Sequence, residues 1–214
     1  MQIVSRYIYS LFIINLSFIF SITILCAAEL ESNSTTAPSF KEGKDYISIM
    51  TPVQRLVLDN KDEVIEFFSY NCPHCNYLEP ELEAWLKHKS DKVTFVRIPV
   101  IFNSNWDASA RAYYVAESLG ILDKIHKSLF DAIHHNKRKL NDEEDFAVLF
   151  AEHGIDNAIF HKNYKSFQTE SNLQRANMLV KLYGVRGVPA LFVNGKYEVR
   201  SQKFFEVVDF LLSR

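Results

Sequence analysis

The stretch from Val64 to Cys75, V-I-E-F-F-S-Y-N-C-P-H-C, constrains the fold more than any other part of the chain. Val64 to Phe68 is apolar apart from Glu66, as expected for a strand covered on both faces. Two cysteines follow, three positions apart, and Leu78, Leu82, Trp85 and Leu86 then recur at helical spacing. A strand therefore delivers the thiols to the start of a helix. Pro73 falls near the first helical position, where its missing N–H costs nothing. Cys72 falls at the helix N-terminus, where unpaired backbone N–H groups and the helix dipole favour an anion. The anion available there is a thiolate, the reactive form in disulfide exchange.

The rest of the chain supplies the frame. Tyr46-Ile-Ser-Ile is a short strand candidate, and Val93–Val100 is a second strand running to Pro99. From Asn103 to about Glu170 the pattern is helical only. Helices are predicted over Ala108–Leu119, Asp123–His135, Asp142–His153 and Asp156–Phe167, with a longer one over Ser171–Tyr183. Strand Ala190–Val193, the turn Asn194-Gly195 and Tyr197–Val199 follow, and Asn-Gly between two strand candidates is a strong hairpin signal. Lys203–Leu212 is a final helix. C-x-x-C beside a βαβ pattern marks a thioredoxin-like redox site. The order β-β-α-β, helical block, α-β-β-α predicts an α/β chain of thioredoxin-like fold with an all-helical insertion. The sheet domain takes 40–102 and 171–214, and the insertion 103–170.

The N-terminus reads as a secretory signal peptide over 1–28. Arg6 is the only charged side chain before Glu29, a largely apolar stretch runs from Tyr7 to Leu25, and Cys26-Ala27-Ala28 offers a small-residue cleavage site. An uncleaved membrane anchor is the alternative, because the stretch is nearly long enough to span a bilayer. A polar leader, 29–39, follows. Cleavage removes one of the three cysteines and leaves only Cys72 and Cys75 in the exported chain. One pair closing so short a loop adds little stability through chain entropy. Reactivity explains it better than stapling does, and an oxidising compartment suits it. With 24 Lys and Arg against 26 Asp and Glu, well mixed, nothing supports a nucleic-acid role. The 17 Phe and 10 Tyr predict a substantial core.

The chemistry follows from the pair. Cys72 is assigned as the nucleophile and Cys75 as the resolving thiol. A free thiol titrates near ~8.5 and is lowered by helix N-termini and neighbouring cations. His74, protonated beside Cys72, is expected to tune the charge. Stabilising the thiolate favours the reduced pair, so the disulfide becomes the stronger oxidant. A fall of about three pH units is worth about 4 kcal/mol, or roughly 90 mV for a two-electron couple. The competing role for the cysteines is half of a zinc site, but His126, His134, His135, His153 and His161 lack ligand-like spacing. Glu66, a carboxylate among apolar neighbours, is a candidate proton carrier for Cys75. The Val188-Pro189 bond, just before a strand, is a candidate cis peptide in this context.

The chain resembles the periplasmic DsbA family of thiol–disulfide oxidoreductases. Glu66-Phe-Phe-Ser69 leading to Cys72-Pro-His-Cys75, and Val185-Arg-Gly-Val-Pro-Ala190 running to Val193-Asn-Gly-Lys-Tyr197, carry the resemblance, with weaker echoes at Gly43–Tyr46 and Phe130–Ile133. It implies that Pro189 is the cis-proline facing the disulfide, that the Val188 backbone pairs with extended substrates, and that Glu66 is the family's buried acid. It implies unfolded exported proteins as substrates, gripped through an apolar groove. It also implies reoxidation by a DsbB-like membrane oxidase and its quinone, a monomer, and no cofactor beyond the cysteine pair. Phe95 and Arg97 stand near where some members carry a lysine opposite the glutamate, so Glu66 is expected to lack that ion-pair partner. A disulfide isomerase or reductase on the same fold is the first alternative, but isomerases of this kind usually add a dimerisation domain, for which there is no room. A redox-independent chaperone is the second, and the intact C-x-x-C speaks against it.

Overall fold

The computed structural model describes residues 39–56 and 60–214. The signal peptide expected over 1–28, and the leader apart from Ser39, lie outside the described residues.

Five strands form one sheet: β1 (Tyr46–Ser48), β2 (Asp62–Phe68), β3 (Val93–Pro99), β4 (Ala190–Val193) and β5 (Tyr197–Val199), in the order β1-β5-β4-β2-β3. Only β2 and β3 run parallel, with Glu66 opposite Arg97. A parallel pair needs a crossover, and helix α1 (Pro73–His88) provides it. The remaining pairs are antiparallel. At the β4–β5 turn, Asn194 and Gly195 both have positive φ, 53° and 63°. Gly195 is required twice over. A Cβ there would collide with the Val53 carbonyl oxygen, and the Gly195 carbonyl accepts the Val53 N–H at 2.8 Å.

Between β3 and β4 stand α2 (Asp107–Ser118), α3 (Leu122–His134), α4 (Glu143–Glu152), α5 (Asn157–Tyr164) and α6 (Phe167–Leu182); α7 (Phe204–Leu212) ends the chain. The predicted helices are present, but one boundary moves. The helix expected to run to Phe167 stops at Tyr164, and the one expected from Ser171 begins at Phe167. Ser166 causes the break: its hydroxyl accepts the Thr169 N–H at 3.1 Å as the N-cap of α6. Asp142 and Asp156 cap α4 and α5 in the same way.

Strand alternation divides the core. Ile65, Phe67 and Phe192 pack with Val115, Ile125, Phe130 and Phe150 of the helical block. Val64, Leu191 and Val193 pack with Leu78, Leu82 and Trp85 of α1 and with Phe205, Val208 and Leu211 of α7. Each such fully buried side chain contributes roughly 1.5–3 kcal/mol. Trp85 fastens α1 to α7: it stacks on Phe205 at 5.3 Å and donates its indole N–H to Asp209 at 2.8 Å. Trp106, by contrast, is only half-buried against the core. By the same alternation, Glu66 lies on the α1 side of the sheet.

Candidate active site

Cys72 is the N-cap residue of α1 and Pro73 its first helical residue, as the spacing predicted. Among the described residues no side chain caps this end, which leaves backbone donors to face the sulfur. Both cysteines are free thiols. Cys75 is fully buried, whereas Cys72 keeps 6 % of its surface exposed. Pro73 and His74 are exposed. The Val188–Pro189 peptide bond is cis. It sits across from the pair, and the Cys72 thiol donates to the Val188 carbonyl at 3.3 Å.

The Cys72 sulfur is pushed down to about 6. The hydrogen bond from the Cys75 thiol does most of this, followed by the backbone N–H groups of Cys75 and His74, while partial burial opposes it. The His74 charge is the smallest of these contributions, so the helix terminus and the second thiol outweigh the histidine singled out from sequence. Burial pushes the Cys75 thiol far up, reinforced by its hydrogen bond to Cys72 and by the Glu66 charge. The two thiols are thus driven apart: one is ionised near neutrality and the other holds its proton. The drop at Cys72 corresponds to at most about 4 kcal/mol in favour of the dithiol, reduced by solvent screening at its open rim.

Glu66 is fully buried in β2. The lysine expected to be missing is replaced by an ion pair the sequence reading did not credit: Arg97 Nε lies 3.1 Å from Glu66 Oε2. Parallel pairing sets the two residues side by side, and the guanidinium fork then reaches on to Glu79 of α1, with Nη2 at 2.9 and 3.2 Å from its two oxygens. Burial pushes the Glu66 carboxyl up to about 7, with Arg97 offsetting part of the rise and the Glu79 and Cys72 charges adding to it.

The turn into Cys72 is held by the helical block. His134 donates to the Tyr70 carbonyl at 2.7 Å, and the Tyr70 hydroxyl lies 2.7 Å from His126 Nδ1. Phe130, between the two histidines on α3, packs on the Tyr70 ring at 4.9 Å. Ser109 of α2 reaches Asn71 Oδ1 at 2.6 Å. Glu79, Arg97, His126 and Tyr70 were not named from the sequence as site residues. The one available signal was Glu79, which falls on the same helix face as Cys75, four residues on.

Two clefts meet at Val188 and Pro189. One, of 340 Å³, is lined by Tyr77, Leu78 and Phe204 with His74 and Glu81. The other, of 570 Å³, is lined by Arg186, Glu198 and Arg200 as well as Ala190, Val199 and Phe204. The surface beside the thiols is therefore apolar at Tyr77, Leu78 and Phe204 and charged toward Arg186, Glu198 and Arg200. Among the described residues, no group of three or more His, Cys, Asp or Glu is placed to hold a metal ion.

The profile of the DSBA-like thioredoxin domain matches residues 63–211. The chain belongs to the DsbA family. It is 37 % identical over 175 residues to the thiol:disulfide interchange protein DsbA of Azotobacter vinelandii, covering 82 % of this chain and 81 % of that one. Against the DsbA of Pseudomonas aeruginosa (strain PAO1) the identity is 34 % over 174 residues, covering 81 % and 82 %. A crystal structure of a P. aeruginosa DsbA point variant superposes with a TM-score of 0.78 at 31 % identity, over 82 % of this chain and 97 % of that one. The DsbA of Xylella fastidiosa gives 0.76 at 32 %, over 83 % and 97 %. The chain has the thioredoxin-like α/β fold of DsbA proteins and is a thiol:disulfide oxidoreductase. DsbA proteins work through their own redox-active cysteines, without a cofactor.

Proposed function

We propose that Cys72–Cys75, in its disulfide form, oxidises dithiols of newly exported, unfolded proteins in the periplasm. A substrate thiolate attacks the Cys72 sulfur, which opens the intramolecular disulfide and forms a mixed disulfide. The electron pair leaves on Cys75 sulfur, and that sulfur takes up a proton. The second substrate thiolate then attacks the mixed disulfide, Cys72 leaves as a thiolate, and the substrate departs with a disulfide. Two electrons have moved from substrate to protein; the two substrate thiols have given their protons to solvent, Cys75 has gained one proton, and Cys72 is left as the thiolate. A DsbB-like membrane oxidase, passing the electrons to its quinone, restores the disulfide. Glu66 supplies the proton that Cys75 takes up. Pro189 and the Val188 backbone form the wall against which an extended substrate lies. The protein works as a monomer, exported by the signal peptide 1–28, with 40–102 and 171–214 carrying the redox site and 103–170 covering it.

One observation carries the direction of the reaction: Cys72, the N-cap of α1, is pushed down to about 6 while burial holds the Cys75 thiol protonated. A good leaving thiolate at Cys72 makes the disulfide readily reduced. Equilibration of the pair with glutathione tests this. The expected potential is well above that of thioredoxin, and a value near ~−270 mV would remove the oxidase reading in favour of a reductase. Replacing both cysteines with Ser should abolish activity on reduced unfolded protein, where a chaperone would keep it.

A further inference from the structure

Glu66 and Glu79, both buried, share a single guanidinium, that of Arg97. One cation does not neutralise two anions away from water, so such an array retains a proton near neutral pH. The two carboxylates compete for it, and their surroundings differ. Glu66 Oε2 receives Arg97 Nε, while its Oε1 is buried without a hydrogen-bond partner among the described residues. Glu79 receives Arg97 Nη2 on both oxygens, and its Oε2 also lies 3.3 Å from His126 Nε2.

His126 is 6 % exposed and comes from α3, in the helical block rather than from the sheet or α1. Its tautomer follows from its neighbour. The Tyr70 phenol is buried, and burial holds its hydroxyl protonated. The acceptor for that proton is His126 Nδ1, 2.7 Å away. The imidazole proton therefore resides on Nε2, facing Glu79. The opposite tautomer would leave the Tyr70 proton without this acceptor and set a lone pair against the carboxylate. The approach to Glu79 is oblique for a hydrogen bond but within ion-pair range, and at that depth an N–H dipole aimed at a carboxylate favours its charged form. Burial keeps the imidazole itself neutral. The charged groups acting on it are Glu79 and Glu83 of α1 and Arg97 of β3.

We propose that His126 is a positioning residue of the redox site: by presenting its Nε2–H to Glu79 it keeps Glu79 ionised and directs the proton of the Glu66–Arg97–Glu79 array onto Glu66, on the Cys75 side. This deepens the proton-carrier role proposed above for Glu66, and it makes the helical block part of the site's electrostatics.

The test is the titration of the Glu66 and Glu79 side-chain carboxyls, followed by carbon NMR on the oxidised, full-length exported protein. In the unsubstituted protein Glu66 is expected to titrate near neutrality. His126→Phe keeps an aromatic ring against Phe68, Tyr70 and Phe130 but removes the donor. Its Glu66 midpoint should fall by about one pH unit or more. His126→Gln retains an N–H of similar reach and should stay close to the unsubstituted values. The proposal is overturned if the proton resides on Glu79 before any substitution. It is also overturned if His126→Phe leaves the Glu66 midpoint in place, or if His126→Gln shifts it as far as Phe does. A non-oxidising potential with the expected carboxyl titrations would instead sink the oxidase reading and leave this one standing.

Discussion

At the level of single residues, the site rests on opposite treatment of two identical thiols. Helix-end N–H groups and the Cys75 thiol favour charge on Cys72, and burial forbids it on Cys75. Thiolate absorbance in the reduced protein should therefore show one transition, with a midpoint near 6, that Cys72→Ser abolishes and Cys75→Ala moves upward by removing the largest stabilising contact. His74→Ala should lower the potential and shift the midpoint upward, the midpoint by less than in Cys75→Ala, since the His74 charge contributes least. A midpoint shift in His74→Ala as large as that in Cys75→Ala would show that the imidazole, not the helix end, governs the thiolate. Much of this was legible in the sequence. Cys72, Pro73 and Cys75 carry their geometry in their spacing, and Glu66 stood out as a charge in an apolar strand. The ranking of His74 was not legible, because a spacing does not say how strongly each neighbour acts.

Between elements, the decisive contacts join parts of the chain that are far apart in sequence. Arg97 was read as the loss of an expected lysine. The parallel register of β2 and β3 instead sets it beside Glu66, and the longer fork reaches Glu79 as well. No local pattern announces that α3 returns onto Tyr70, so His126 and His134 were weighed only as metal ligands and not as supports of that residue. Arg97→Met should destabilise the protein by about 3–5 kcal/mol, measured by urea unfolding. The loss should grow as pH rises through about 7, where Glu66 ionises; a loss independent of pH would mean the carboxylates are not the groups left unpaired. The β4–β5 turn makes a second demand of the same kind. Gly195→Ala meets both the left-handed backbone and the Val53 carbonyl, and should cost more than the ~1 kcal/mol typical of backbone strain alone.

For the whole molecule, redox state and stability are linked through Cys72. Its folded value lies below that of an unfolded thiol, so the stability it gives the reduced protein is complete above about 8.5 and is lost as pH falls through about 6. The reduced form should unfold at a higher temperature than the oxidised form at pH 8, and the gap should narrow toward pH 5. Glu66 acts in the other sense. Its folded value is raised, so its contribution is present below about 4.3 and is lost as pH rises through about 7. To first order both redox forms share that slope, and it cancels in their difference. An oxidised form more stable than the reduced one at pH 8 would contradict the argument.

The unequal cover over the two sulfurs also sets who can reach whom. A partner chain can touch only Cys72, and once bonded there it lies wholly outside the protein. The thiol that would reverse the bond lies beneath, with no exposed surface of its own. Forward release belongs to the client's own second thiol, and a visiting thiol has no direct route to Cys75. Cys75→Ala, charged at Cys72 as a mixed disulfide with glutathione, should exchange glutathione for a client thiol and become a trap for clients with no second thiol within reach. The attached proteins, separated from the trap by a strong reductant, would be a direct census of the chains this oxidase serves.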